Sequence, residues 1–106
     1  MSMPMLDSYF DLKIDYATRS ISLGGEFDVA TAECLATAVS RFQRAGPGDV
    51  TLRIDDLTFI DAAGLGALVN AQSRQVANGA SLVVVGATEA VRRVFDLGGL
   101  THLLRG

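Results

Sequence analysis

"TFIDAAGLGALV" occupies residues 58–69. Thr58, Phe59 and Ile60 are strand formers. Asp61 interrupts them with a single carboxylate. Ala62, Ala63, Gly64 and Gly66 follow, and an apolar pattern at helical spacing takes over. A strand that passes into a helix through one acid is the joint of a parallel α/β unit. Capping the helix explains the acid. It does not explain the cluster of small residues, which bury little and let a partner's backbone or a phosphate approach the exposed N–H groups.

The flanking sequence agrees with that joint. "YFDLKID" (9–15) alternates, with Phe10, Leu12 and Ile14 on one face, and "SISLGG" (20–25) alternates through Ile21 and Leu23. The short link "YATR" between them predicts a β-hairpin. From Asp28 the period changes: Ala32, Leu35, Val39 and Phe42 recur at helical spacing, with Asp28 as the expected N-cap. "AGPGD" (45–49) ends that helix, and "VTLRI" (50–54) is a third strand which "TFI" extends or neighbours. Asp55 and Asp56 between them read as solvated turn residues.

Downstream, a helix from about Ala63 to Asn78 turns Leu65, Leu68, Val69 and Val76 inward, and Gly79 caps its end. "SLVVVG" (81–86) predicts a central strand buried on both faces. A third helix starts near Thr88, with Val91, Val94 and Phe95 inward and Arg92 and Arg93 outward. "LGGL" (97–100) breaks it, and "LTHLL" (100–104) is a short last strand or a helical tail. The order β-β-α-β-α-β-α-(β) gives an α/β class: a mixed sheet, hairpin first and then βαβαβα, flanked by helices. The expected organisation is one domain over residues 1–106, its core about 9–104.

Composition narrows the function. The chain has 106 residues, 49% of them apolar, and a net charge of −3. Its cations, eight Arg and Lys13, are scattered, so no basic stripe points to nucleic acid. Cys34 is the single cysteine, which rules out an intrachain disulfide and suits a reducing compartment. The first 15 residues carry neither a basic nor a long apolar segment, which argues against a secretory signal. Apolar runs such as Leu82–Val85 fall far short of the roughly 20 residues of a membrane span. The expectation is a soluble, cytoplasmic protein with no membrane association, a monomer or a weak dimer.

Enzymatic readings fit poorly. Gly64 and Gly66 begin a dinucleotide fingerprint, but its third glycine position is Val69, and the next strand ends in Gly86 and Ala87 rather than an acid for a ribose. An aspartyl-phosphate receiver needs acids around a metal and a lysine near the phosphate, whereas the only lysine is in the first hairpin. Cys34 sits in a helical pattern as an ordinary buried thiol, and His102 in an apolar tail as a packing residue. No Cys/His cluster supports zinc. The expectation is a non-enzyme without cofactor or metal. What remains is a recognition surface: Asp28 and Asp61 both stand at strand-to-helix junctions, which in parallel α/β units gather at the carboxyl ends of the strands.

Three ordered motifs, "LGGEFDVATAECL", "DLTFIDAAGLGAL" and "VRRVFDLGGL", resemble the bacterial anti-sigma-factor antagonists, the small STAS domains, over about residues 9–104. The resemblance implies a binding switch. An unphosphorylated antagonist binds an anti-sigma factor, often a serine kinase of the GHKL type, and frees the sigma factor. Phosphorylation of the serine after the signature aspartate then ends the binding. The partner-binding residues it implies are Glu26, Asp28, Asp61, Ala62, Ala63, Gly64, Leu65 and Gly66. Ala62 holds the phosphoacceptor position and Ala63 follows it, neither with a hydroxyl. Either the natural protein lacks the switch or a serine was replaced. Thr58, the nearest upstream hydroxyl, is expected inside a strand and out of reach. STAS folds also serve as scaffold or sensor modules that bind a nucleotide or another small ligand, and this is the alternative reading.

Overall fold

The computed structural model describes residues 9–105. The N-terminal eight residues, on which part of the signal-peptide reading and the start of the 1–106 domain rest, lie outside the described residues, as does Gly106. The opening hairpin is β1 (Phe10–Asp15) and β2 (Ser20–Phe27). Then follow α1 (Ala32–Ala45), β3 (Val50–Ile60), α2 (Ala62–Ala77), β4 (Leu82–Val85), α3 (Glu89–Leu97), a 3-10 turn at Thr101–Leu103, and β5 (Leu104–Arg105). The C-terminal "LTHLL" is therefore both a helical turn and a strand.

The sheet order is β1-β2-β3-β4-β5, antiparallel at β1/β2 and parallel elsewhere. Each parallel connection joins neighbouring strands. Right-handed crossovers therefore stack the helices on one face. Burial agrees: along β3, Val50, Leu52, Ile54, Leu57 and Ile60 are buried, Thr51 is half-buried, and Arg53, Asp55, Asp56, Thr58 and Phe59 are open. The core gathers Ile21, Leu23 and Phe27 of β2, Leu35, Val39 and Phe42 of α1, Leu65 and Leu68 of α2, and Val91 and Phe95 of α3. Each such side chain contributes about 1.5–3 kcal/mol by leaving water.

Several expectations need correction. "VTLRI" and "TFI" form one strand of 11 residues. Asp55 and Asp56 are strand residues, not turn residues. β3 carries one more residue than β2 between Arg53 and Asp56, and again between Leu57 and Phe59, so two bulges expose consecutive side chains. β4 buries Leu82 and Val84 but only half-buries Val83 and Val85, because helices cover one face. Cys34 is exposed rather than a core thiol: Leu35 and Val39 face in, and Cys34 lies a step of about 100° around the helix from Leu35. Val76 is also exposed, and Gln75 takes the buried position. The Gln75 Nε2 donates to the carbonyls of Gly48 (3.2 Å) and Ser81 (3.0 Å), and Gln43 Nε2 donates to its Oε1 (3.2 Å). His102 is exposed, not a packing residue. Among the described residues no helix is long and apolar enough to cross a membrane.

Candidate functional site

The parallel register pairs Phe27 of β2 with Ile60 of β3. Asp28 and Asp61 therefore leave neighbouring strand ends side by side, and the Asp61 N–H donates to the Phe27 carbonyl at 3.4 Å. The two acids, 33 positions apart in the chain, share the carboxyl edge of the sheet. Here the sequence reading and the geometry agree.

Asp61 has extended backbone angles and caps α2: the Gly64 N–H donates to Asp61 Oδ1 at 2.9 Å, and the Leu65 N–H donates to its carbonyl at 2.9 Å. Ala62 is the first residue of α2 and is exposed; Ala63 is half-buried and Gly66 is exposed. Gly64 and Leu65 lie behind that surface. A Cβ on Gly64 would stand 2.5 Å from the Phe27 carbonyl oxygen and 2.8 Å from Ile60 Cγ1. Its missing side chain lets α2 start directly against β2, so its smallness serves packing inside the molecule. Leu65 belongs to the core. Gly66 meets nothing within 4 Å, so of the two glycines it alone leaves space for an outside partner.

Asp28 behaves differently from the expected N-cap. The cap of α1 is Thr31, and Asp28 opens a turn ahead of it. The Ala30 N–H donates to Asp28 Oδ1 at 3.0 Å, and the Ala32 N–H to the Asp28 carbonyl at 2.8 Å. The Thr31 hydroxyl accepts from the Asp28 N–H (2.9 Å) and donates to the Glu26 carbonyl (3.1 Å). Its side chain is spent on the turn rather than on the first helical N–H groups, and Val29 is left 79% exposed at the tip. Thr58 is exposed, against expectation, because the second bulge turns it outward. Its hydroxyl donates to the Gly25 carbonyl at 3.2 Å.

The surface continues into features that sequence reasoning missed. An open groove of about 270 Å³ runs between α1 and α2, floored by Ala32, Ala36, Ala63, Gly66 and Ala67 and flanked by Glu33 and Arg74. The spacings 32/36 and 63/67, one helical turn each, are the signal that could have found it. Among the described residues no group of three His, Cys, Asp or Glu side chains is placed to hold a metal ion.

A family model described as "STAS domain" matches residues 9–105. The chain is 30% identical over 84 residues to an anti-sigma-B factor antagonist of Staphylococcus epidermidis, covering 79% of this chain and 78% of the relative. In structure it is similar to an anti-sigma factor antagonist from Mycobacterium paratuberculosis, with TM-score 0.72, 24% identity and coverage of 98% and 87% of the two chains. It is also similar to the anti-sigma factor antagonist SpoIIAA in its unphosphorylated form, with TM-score 0.71, 20% identity and coverage of 92% and 86%. At these identities the structural likeness establishes the shared fold.

Proposed function

The chain belongs to the STAS domain family, and on that premise we propose that it is an anti-sigma-factor antagonist. It binds an anti-sigma factor of the serine-kinase, GHKL type through the carboxyl edge of its sheet, and so releases the sigma factor. The observation that carries this reading is the juxtaposition of Asp28 and Asp61 with the exposed Ala62 at the start of α2. The groove that opens from this edge, about 270 Å³, is open and floored by Ala32, Ala36, Ala63, Gly66 and Ala67, with few polar groups to orient a small ligand. That favours a protein partner over a nucleotide. The exposed, unpaired Cys34 fits a reducing cytoplasm. The unit that binds is a monomer or a weak dimer.

At position 62 the usual switch would place a phosphate, roughly −1.5 to −2 charges, beside Asp61. Ala62 and Ala63 offer no hydroxyl, and the hydroxyls of Thr31 and Thr58 are both engaged with backbone groups. Binding is therefore independent of ATP and kinase activity. Ala62→Asp tests the site. An anion at a helix N-terminus is favourable by about 0.3–1 kcal/mol, so the fold tolerates it. An unpaired charge buried in an interface costs about 2–5 kcal/mol, and about 1.4 kcal/mol is one decade of affinity. Calorimetric titration with an anti-sigma factor should show at least a tenfold loss of affinity with an unchanged melting temperature. Unchanged affinity in the folded variant would mean that the partner docks elsewhere.

A further inference from the structure

β1 is an outer strand of the sheet, and among the described residues nothing pairs with its far side. The Glu26 N–H donates to the Tyr9 carbonyl at 2.7 Å, so Tyr9 and Glu26 form a hydrogen-bonded pair. Such pairs alternate along an antiparallel ladder. Asp11, Lys13 and Asp15 therefore spend their backbone groups on β2, and Phe10, Leu12 and Ile14 turn theirs outward. The side chains of those three residues pack toward the core. Beside Leu12 and Ile14 an open groove of about 280 Å³ separates β1 from Cys34, Ala38 and Arg41 of α1. The opposite face carries Lys13 and Asp11, with Nζ and Oδ2 3.7 Å apart. Lys13 is the only lysine of the chain.

A bare edge is a template for another strand. A second copy of β1 can add antiparallel, and the pattern "FDLKID" (10–15) restricts how. Apolar side chains must meet apolar ones, because a slip of one residue sets them against the charged face. Centred on Lys13, the pairing places Lys13 against itself and Asp11 against Asp15. Centred on Asp11, it places two aspartates together. Centred on Phe10 or Ile14, it runs off the strand; beyond Ile14, Asp15 Oδ1 already accepts from the N–H groups of Ala17 (3.0 Å) and Thr18 (3.3 Å). Centred on Leu12, each Asp11 faces the partner's Lys13, Phe10 faces the partner's Ile14, and Leu12 meets the partner's Leu12. The outward groups of Phe10, Leu12 and Ile14 then all find partners. The charged pairs fall at the non-hydrogen-bonded positions, where side chains come closest. We infer that this edge is a self-association site, where two copies join their β1 strands about a two-fold axis at Leu12. The sheet becomes continuous across both copies. A strand of six residues makes a small interface, so the dimer is weak and reversible.

Sedimentation equilibrium of the full chain at rising concentration tests this. The wild type should show a reversible monomer–dimer equilibrium that weakens with salt. Asp11→Lys and Lys13→Asp, both on the open face and checked for folding by circular dichroism, should each weaken it about tenfold or more, because like charges then oppose each other twice. An equimolar mixture of the two variants should regain the wild-type affinity as a heterodimer, since every lysine again faces an aspartate. Cys34, beside the groove, gives a second reading. Its alkylation should slow as concentration rises in the wild type and in the mixture, and in neither variant alone. Ala62→Asp lies two strands away, about 10 Å, and should change nothing. A chain that stays monomeric at every concentration, as one whose own residues 1–8 cover the edge would, overturns the inference. So does a dimer that both single variants keep or that leaves Cys34 alkylation unchanged, and so does a mixture no tighter than its components.

Discussion

The two edges of the sheet are built from the same kinds of residue to opposite ends. At the amino edge polar side chains are turned inward and used up. Arg19, held at φ 52°, donates to the carbonyls of Asp49 (2.9 Å), Gly48 (3.0 Å) and Gly46 (3.3 Å) and lies 5.3 Å from the centre of the Phe42 ring. Gln72 closes both polar groups of Leu82, accepting from its N–H at 2.8 Å and donating to its carbonyl at 3.0 Å. Gln75 ties the loops before β3 and β4 together. At the carboxyl edge Glu26 and Asp28 have no cation among the described residues, and Tyr9, Val29 and Phe59 stay exposed. Buried polar groups must be satisfied within the fold. A surface that leaves charge and apolar area open gives up that internal stabilisation and keeps both available for a partner. Stability and binding should therefore separate by edge.

The contrast can be broken from either side. The largest expected effect after Ala62→Asp comes from Gln75→Leu, which keeps the bulk but removes three hydrogen bonds. It should lower unfolding free energy by about 1–3 kcal/mol in urea denaturation and leave the affinity of the folded protein for an anti-sigma factor unchanged. A loss of affinity equal to that of Ala62→Asp would abolish the separation. Gly64→Ala comes next, because it acts at the binding edge yet through packing. Crowding against the Phe27 carbonyl should destabilise by about 1–3 kcal/mol, read as a lower melting temperature. The smallest effect is Gly66→Ala, two residues on. With nothing near its Cβ and a better helix former in place, the chain should gain about 0.5–1 kcal/mol. Opposite signs for the two glycines would confirm that only Gly64 is required by the fold; equal signs would contradict that division.

These particulars also show what a sequence makes legible. The Asp61 cap was readable because the whole device lies within Asp61–Gly64, and the β/α order was readable from local apolar periods. What escaped was decided at a distance. Gln75 is buried in place of Val76 because carbonyls of two other loops need its amide. Asp28 misleads as a cap because three more residues of turn precede α1. Asp55, Asp56 and Thr58 are exposed by bulges that arise only when β3 meets β2. The outward turn of the backbone groups of Phe10, Leu12 and Ile14 exists only through the register of β1 on β2.

The central claim is that partner binding belongs to the carboxyl edge. Amide hydrogen exchange of the chain, free and bound to an anti-sigma factor, tests it most directly. Slowed exchange should concentrate in residues 26–31 and 61–67, while residues 46–49 and 75–81 at the amino edge keep the rates of the free protein. Protection centred on the amino-edge loops, with the carboxyl edge unchanged, would contradict the account.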